Sequence, residues 1–212
     1  VGEGEVPWRD ILLSDGQETG IITRPSIPDL DAIPFPDRDF IKMERCAAIA
    51  KREEGRKVTG ILGNRGCLRK CVFCADGSPK TIYGIKLRER SAKNIVDEML
   101  EVVQRYGIEF IKYADAEFNT RPGRTVEMCA EMINRSAGIH WGANFLANPW
   151  LDGDGELLYR AGCREAWIGL ESGSLAIHRT IGKGVTPKLI EHALRDAKDG
   201  GLVRRCYVLL GM

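Results

Sequence analysis

The sequence predicts an α/β protein, a partial and open barrel of parallel strands that alternate with helices after an extended linker. Three observations lead to this prediction. The 212 residues are 43% hydrophobic and 29% charged, which is enough for one sizeable core. Short apolar runs alternate with helical periodicity, as in a parallel sheet. The alternation repeats about five times, too few units for an eight-fold barrel of about 250 residues.

The individual elements follow from this alternation. Strands are predicted over 58–62, 108–113, 139–145, 165–170 and 203–210, and helices over 91–106, 124–134, 155–160 and 187–198. Ser91 and Thr186 can cap the first and last of these helices, and Gly107 and Gly200 can end them. Because functional groups in such folds lie at the carboxyl ends of the strands, the loops that follow the strands are expected to line the site.

Residues 1–41 form a distinct first segment. They are acidic and contain five prolines between Pro7 and Pro36, so they predict an extended linker in which only residues 8–13 could pack. A short helix is predicted from Asp39 to about Arg52, and residues 42–56 are assigned as the connecting helical segment between the linker and the core.

Charge and cysteine content narrow the class of protein. The formal net charge is +1, yet residues 42–90 hold 13 Lys and Arg against 5 Asp and Glu. Seven cysteines, an odd number, argue against a disulfide framework and for the reducing cytosol, so we expect a cytoplasmic protein. The apolar runs are far shorter than the roughly 20 residues that cross a bilayer, so no membrane span is expected.

The loop after the first predicted strand carries Cys67, Cys71 and Cys74 with the spacing C-x3-C-x2-C. Three such thiolates can each hold one iron of a 4Fe-4S cluster and leave the fourth iron open to a small-molecule ligand. Structural zinc takes four Cys or His ligands, and residues 60–90 contain no fourth Cys and no His. The spacing favours an open cluster, with zinc, an electron carrier or inert thiols as alternatives.

This loop, with Phe73 just before the third cysteine, resembles that of the radical S-adenosylmethionine (SAM) superfamily, and the resemblance covers residues 57–212. It implies a partial (β/α)6 TIM-type barrel of which about five units lie in this chain. It also implies that the open iron binds the amino and carboxylate groups of SAM, and that an electron from the cluster cleaves SAM to methionine and a 5'-deoxyadenosyl radical. An electron donor such as flavodoxin or ferredoxin and a small-molecule or peptide substrate are further implications.

Several segments resemble the cobalamin-binding subgroup of that superfamily. Residues 1–5 are similar to the Gly-Glu-Gly-Glu that ends the cobalamin domain, and residues 29–36 to the linker that follows it. Residues 169–174 match the fourth-strand Gly-x-Glu-Ser-Gly-Ser, and residues 112–118 resemble the second-strand motif, with Ala116 where a second Asp is usual. The resemblance therefore implies cobalamin in a longer protein that is truncated here at both ends, with its radical SAM core after the linker.

The resemblance also implies roles for five residues besides the cysteines, while no catalytic residue is identified. Phe73 is expected beside the adenine and the cluster, or as an aromatic plug of the core. Asp115 and Glu117 are expected to accept from the ammonium group of SAM, unless they are solvated loop acids. Glu171 and Ser172 are expected to hydrogen-bond the ribose hydroxyls or the amino-acid end of SAM.

The local positive charge has two interpretations. A carboxylate ligand and an anionic cluster both favour nearby cations, whereas a tRNA substrate would also favour a basic face. No aromatic residues interleave with these cations, so nucleic acid is the weaker alternative. The residues concerned are Arg65, Arg69, Lys70, Arg88 and Arg90.

The sequence therefore predicts an enzyme that cleaves SAM reductively, with cobalamin-dependent methyl transfer or a radical rearrangement as the outcome. The alternatives are a cobalamin-free relative such as a tRNA methylthiotransferase, or a zinc-binding interaction module. The remaining cysteines are expected to be small buried hydrophobic residues without chemistry, and the three histidines to be structural or solvated. These are Cys46, Cys129, Cys163, Cys206, His140, His178 and His192.

Overall fold

The structure is a computed structural model, which describes residues 3–15, 17, 20, 22, 25–74, 87–135, 137–148, 150 and 152–211. The motif residues Val1, Gly2 and Met212 lie outside these ranges. The helices are α1 (Glu5–Leu13), α2 (Met43–Glu54), α3 (Ala92–Tyr106), α4 (Arg124–Asn134), α5 (Asp154–Arg160), α6 (Leu175–Ile181) and α7 (Pro187–Asp199), with a 3-10 turn at Leu30–Ala32. Among the described residues, no helix is both long and apolar enough to cross a lipid bilayer.

Among the described residues, five parallel strands form the main sheet: β1 (Val58–Ile61), β4 (Phe110–Tyr113), β5 (Trp141–Phe145), β6 (Cys163–Glu171) and β7 (Val203–Val208). Their spatial order is β1-β4-β5-β6-β7. A short antiparallel pair, β2 (Asn64–Arg65) and β3 (Arg88–Glu89), flanks the cysteine loop. The predicted α/β fold with five alternating units is confirmed, and all five parallel strands end at the same edge of the sheet.

The core lies between this sheet and its helices. Ile95 and Met99, which point from α3 toward the sheet, are fully buried. A cluster of aromatic rings around Phe118 continues the core: three ring centroids lie about 5 Å from that of Phe118, and Trp150 lies at a similar distance from Phe145. Edge-to-face and tilted packing at such distances stabilises aromatic pairs beyond their burial. The rings belong to Tyr113, Trp141, Phe118, Phe145 and Trp150.

The helix boundaries follow the local signals in the sequence. Ser91 accepts a hydrogen bond from the backbone N–H of Asn94 at 3.1 Å, and Thr186 accepts from that of Leu189 at 3.3 Å. Both are N-cap bonds, each of which satisfies one of the free donors of the first helical turn. Gly107 ends α3 with a left-handed φ of 62°, which glycine adopts without strain.

Two helices were not predicted. The segment expected to be extended contains α1, and none of its nine residues is buried. Pro7 does not prevent this helix, since it occupies the first turn, where a backbone N–H has no partner within the helix. The sequence allowed this stretch to pack, and Trp8 within it is 63% exposed. Helix α6 was missed because it has only seven residues, too few to show a helical period.

Arginines cover the outer edge of β1. Arg38 donates from Nη2 to the carbonyl of Gly60 at 3.3 Å, and Arg90 donates from Nη1 to that of Leu62 at 2.7 Å. Both guanidinium groups also pair with Glu98, which is 2% exposed. Side chains that occupy the carbonyls of an edge strand block its pairing with another strand.

Gly63 is predicted to be required for this fold. A Cβ atom at Gly63 would lie 1.7 Å from Oη of Tyr113, whose ring is 1% exposed and cannot move aside. We expect Gly63→Ala to lower the free energy of unfolding by about 1–3 kcal/mol through overpacking. The measurement is urea denaturation, with Gly60→Ala as the control because its Cβ would meet nothing closer than 3.9 Å. Equal stability of the two variants would contradict the prediction.

Candidate functional site

The candidate site lies where β1, β4 and β6 end. The predicted residues all follow these strands, in the loop 63–74, in residues 114–117 and in the turn 171–174. A cavity of about 330 Å³ opens beside the first two of these segments and is also lined by residues 3–5 of the first segment. Ala116, which stands where the resemblance leads one to expect an acid, lines this cavity.

Asp115 ties the end of β4 to the loop after β1. Its carboxylate accepts from the backbone N–H groups of Gly63 at 2.8 Å and Asn64 at 3.1 Å, and from Nδ2 of Asn64 at 2.7 Å. The residue is 2% exposed. Burial raises the pKa of Asp115 from its ordinary value of 3.8 to about 7, although these donors and the cations Arg124 and Arg90 favour the charged form.

Two amide side chains add further hydrogen bonds between these strand ends. Nδ2 of Asn64 also donates to the carbonyl of Glu117 at 2.9 Å, and Nδ2 of Asn144 donates to the carbonyl of Asp115 at 2.9 Å. The ends of β1, β4 and β5 are therefore linked through buried polar groups. Such fully bonded networks make a loop rigid, because each broken bond would leave a buried polar group unpaired.

The three cysteines lie on one loop that begins at Gly66, whose φ is 91°. Cys71 is buried, and Cys67 and Cys74 are partly exposed. The backbone N–H of Cys74 donates to the carbonyl of Cys71 at 3.1 Å, and that of Val72 donates to the carbonyl of Ile181 at 3.1 Å. The loop is thus folded on itself and attached to the end of α6.

The thiols are close enough to affect one another's ionisation. Burial raises the pKa of Cys67 to about 12, and the Glu117 carboxylate and the other two thiols add to this shift. Burial also raises the pKa of Cys71, whereas the Lys183 ammonium opposes the shift. Three thiolates beside a carboxylate therefore require an added positive charge, such as iron bound to the sulfurs.

The loop is not arranged around a single ion. Among the described residues, no group of three or more Cys, His, Asp or Glu side chains is placed to hold a metal ion. Structural zinc needs its ligands at one point. In a cluster with one open iron each thiolate binds a different iron, so the three sulfurs need no common point.

Glu117 and Arg69 lie against the first thiol. Sγ of Cys67 donates to Oε1 of Glu117 at 3.7 Å, and Nε of Arg69 lies 3.5 Å from the same oxygen. Arg69 also donates from Nη2 to the carbonyl of Asn148 at 3.1 Å, after β5. Burial raises the pKa of Glu117, and the Arg69 guanidinium opposes that shift. The cysteine loop is thereby linked to the ends of both β4 and β5.

Glu171 is paired with a cation that the sequence did not single out. Nζ of Lys183, between α6 and α7, lies 2.5 Å from Oε1 of Glu171 and donates to the carbonyl of Gly169 at 3.2 Å. Gly169 leaves room for this pair, since a Cβ there would lie 2.0 Å from the Lys183 nitrogen. The two glycines that flank Lys183 lie beside the cysteine loop: Cβ atoms at Gly182 and Gly184 would lie 3.4 Å from the carbonyl oxygen of Lys70 and 3.7 Å from Nη1 of Arg69.

Ser172 and Phe73 are placed differently from the charged residues. Ser172 is half-buried, and its hydroxyl accepts from the backbone N–H of Ser174 at 3.1 Å, inside the turn. Phe73 is 41% exposed, so it does not plug the core. The predicted contacts of both side chains with SAM stay predictions, as does the SAM contact of Asp115, whose oxygens are used by the loop after β1.

The local positive charge has a structural use that the sequence did not suggest. Arg65 pairs with Glu3 and Glu5, and Arg88 pairs with Glu3, so two of the five cations hold the first segment against the core. Glu3 is 5% exposed. The expectation that these two cations mainly serve an anionic ligand was therefore too simple.

Three residues of the site were not predicted from the sequence to bind the other site residues. They are Lys183, Arg69 and Asn64. Lys183 lies 12 positions after Glu171, and Asn64 lies 51 positions before Asp115. No local period links such pairs. The one available signal was the Gly-Lys-Gly at 182–184, where a lysine between two glycines in a short connection suggests a close approach of backbones.

The sequence of this chain is similar to that of a known protein family. A family model described as the radical SAM superfamily matches residues 61–212. An uncharacterised methyltransferase of Pyrococcus horikoshii is 28% identical over 218 residues, which cover 95% of this chain and 46% of that protein. The chain therefore spans less than half the length of this relative.

Two solved structures share the fold. The cobalamin-dependent SAM radical enzyme OxsB, with aqua-cobalamin bound, matches with a TM-score of 0.73 at 21% identity. That match covers 98% of this chain and 32% of the OxsB chain. The radical SAM methyltransferase TsrM from Kitasatospora setae, with cobalamin and a [4Fe-4S] cluster bound, has a TM-score of 0.68 at 20% identity. That match covers 90% of this chain and 35% of the TsrM chain.

The raised pKa of Asp115 predicts a pH dependence of stability. Because this carboxyl binds its proton more tightly in the folded chain than in the unfolded one, its stabilising contribution is complete below about pH 4 and is lost as the pH rises through about 7. The free energy of unfolding of the wild type, relative to Asp115→Asn, should therefore fall by up to about 4 kcal/mol over that range.

Urea unfolding of the reduced chain at a series of pH values measures this difference. Asp152→Asn is the control for the loss of one carboxyl, since the Asp152 side chain is 94% exposed. A difference between wild type and Asp115→Asn that is constant with pH, or that grows as the pH rises, would contradict the assignment.

Proposed function

The chain belongs to the radical SAM superfamily, and from this premise we propose that it is the core of an enzyme that cleaves SAM reductively at a 4Fe-4S cluster. Cys67, Cys71 and Cys74 hold the cluster in this proposal. One observation carries it: a loop with three thiols, in a stretch 60–90 whose sequence has no fourth Cys and no His, lies against the partly buried carboxylate of Glu117 and near a Glu171–Lys183 ion pair.

The donor set fits the cluster. The three thiols lie at the carboxyl end of the sheet, and Cys71 is buried there, so the sulfurs are shielded from bulk water on one side. A cluster bound at these sulfurs supplies the electron that breaks the sulfonium C–S bond of SAM and leaves methionine and a 5'-deoxyadenosyl radical. The contribution of the protein is to bind and orient the cluster and SAM, and to exclude water from them.

Glu117 is the acid that we assign to the ammonium group of SAM. Its Oε1 lies beside Sγ of Cys67, and its side chain is 12% exposed, so it can be reached from the site. Asp115 is assigned a different role, because its oxygens already accept three hydrogen bonds from the loop after β1. Asp115 thus positions the loop that leads to the cysteines, and Glu117 faces the ligand.

Lys183 and Glu171 are assigned to the carboxylate and the ribose of the ligand. An ammonium group attracts a carboxylate, and a carboxylate accepts from hydroxyl groups, so this pair offers both kinds of contact with the amino-acid and ribose parts of SAM. The side chains are 13% and 6% exposed, and a charge interaction in such a setting is stronger than in water. Ser172 and Phe73 complete the proposed SAM contacts.

We assign cobalamin to the longer protein and methyl transfer to its reaction. The support is the likeness of residues 29–36 to a linker after a cobalamin domain, together with the similarity to OxsB, TsrM and the Pyrococcus methyltransferase. The substrate in this proposal is a small molecule or a peptide, and a flavodoxin or ferredoxin delivers the electron.

Reconstitution with iron and sulfide tests the cluster ligands. Anaerobic wild-type protein should bind about four iron and four sulfide per chain, and the 5'-deoxyadenosine formed from SAM under dithionite should be measurable by chromatography. Alanine at position 67, 71 or 74 should abolish 5'-deoxyadenosine formation. Cys46→Ala is the control, because that thiol is exposed and lies before the core.

The same experiment separates the alternatives. About one zinc and no sulfide per chain would support the zinc-binding module and overturn the proposal. A sulfide-containing cluster and 5'-deoxyadenosine, with no cobalamin bound by the longer protein, would favour a cobalamin-free relative such as a tRNA methylthiotransferase.

Lys183→Met should separate SAM binding from cluster assembly. The three thiols remain, so iron and sulfide content should stay at the wild-type level. Loss of the ammonium should weaken SAM affinity about tenfold or more, as for the loss of a charge-assisted bond of about 1.5–3 kcal/mol. Calorimetric titration of SAM into the reconstituted protein measures the change, with the exposed Lys188→Met as control. Unchanged affinity would remove Lys183 from the proposed site.

A further inference from the structure

The turn after β6 holds Glu171 in an unusual backbone conformation. Its φ is 57°, in the left-handed region that residues other than glycine rarely adopt. The pairing of β6 with β7 shifts register between Gly169 and Glu171, and the N–H of Ser172 donates to the carbonyl of Leu170 at 2.6 Å. A strained residue of this kind persists only when its surroundings hold it in place.

Three contacts surround this turn. The N–H of Leu209 donates to the Glu171 carbonyl at 3.0 Å, and Lys183 binds the Glu171 carboxylate. The third contact comes from helix α6, where Nε2 of His178 lies 2.7 Å from the carbonyl oxygen of Ser172. The first two contacts act on Glu171 itself, and the third orients the peptide group that follows Ser172.

His178 is built into this position. It is 2% exposed, and its Nδ1 has no hydrogen-bond partner among the described residues. A carbonyl oxygen only accepts, so the hydrogen must be on Nε2 for the bond to Ser172 to exist. The buried imidazole therefore makes one hydrogen bond among the described residues, to the turn that contains the strained Glu171. Such a bond can stabilise the conformation of the turn.

We propose that His178 is a positioning residue: its bond to the Ser172 carbonyl holds the Glu-Ser-Gly-Ser turn in the conformation that presents Glu171 and Lys183 to the cysteine loop. The expectation from sequence that His178 is structural or solvated rather than catalytic is compatible with this role. The part that concerns the turn stands on this structure alone, and the effect on SAM binding rests on the proposed function.

Hydrogen exchange of the chain without cluster tests the first part. His178→Leu removes the bond at similar volume, and His178→Gln keeps an amide N–H near the place of Nε2. In a peptide spanning 171–175, the amides of Ser172 and Ser174 should exchange about tenfold faster in the Leu variant, as for the loss of one hydrogen bond, and near the wild-type rate in the Gln variant. His192→Leu, a change at a half-exposed histidine, is the matched control and should leave this peptide unchanged.

A second measurement needs no variant. In a long-range ¹H–¹⁵N spectrum of the wild-type chain, the His178 ring should carry its hydrogen on Nε2. A hydrogen on Nδ1 alone would overturn the proposal even if His178→Leu failed to fold. Wild-type exchange rates in a folded His178→Leu variant would overturn it as well.

SAM titration of reconstituted protein tests the second part. The affinity should fall about tenfold in His178→Leu and recover to within about threefold of wild type in His178→Gln, with iron and sulfide content unchanged in both. Faster exchange in the turn together with unchanged affinity would overturn the positioning role. If wild-type protein with a complete cluster bound no SAM, the proposed function would fail, whereas the exchange and tautomer results would still decide the bond between His178 and the turn.

Discussion

The hydrogen bonds between the Asp115 carboxylate and the loop after β1 are the interaction on which the rest of the site depends. A carboxylate that is 2% exposed must have its acceptors filled, and all three donors belong to Gly63 and Asn64. Those donors come immediately before the cysteine loop. The residue that follows β4 therefore fixes the position at which the cysteine loop begins.

Space is the second constraint. Gly63 passes so close to the Tyr113 ring that no side chain fits between them, and Gly169 leaves the volume that Lys183 and Glu171 occupy. In both places a glycine allows a polar contact to form at the end of a buried strand. The two glycines thus have a common role: each brings backbone close enough for a charged group of another segment to bind.

Charge is distributed so that few cations face the thiols. Arg38 and Arg90 are engaged with Glu98 at the edge of β1, and Arg88 with Glu3 of the first segment. Lys183 and Arg69 act on the thiols and on Glu117. A site that combines buried thiols and carboxylates with these two cations favours a bound group that carries positive charge on its metal and negative charge on its ligand.

Much of this molecule could be predicted from sequence, because the determining interactions are local. The bond of Ser91 to Asn94 spans three residues, the apolar pattern of each strand or helix lies within that one segment, and the spacing of Cys67, Cys71 and Cys74 lies within one loop. The strand order of the parallel sheet agrees with that alternation. The family resemblance rests on motifs of the same short range.

The tertiary structure decided which distant groups meet. Asp115 binds Asn64 across 51 positions, Glu171 binds Lys183 across 12, and His178 reaches the turn through a helix too short to show a period. It also decided that the basic segment serves ion pairs with Glu3 and Glu98, and that α1 forms without a buried face. Local periodicity reports the burial of single segments, whereas these partners depend on how the ends of separate strands and helices pack against one another.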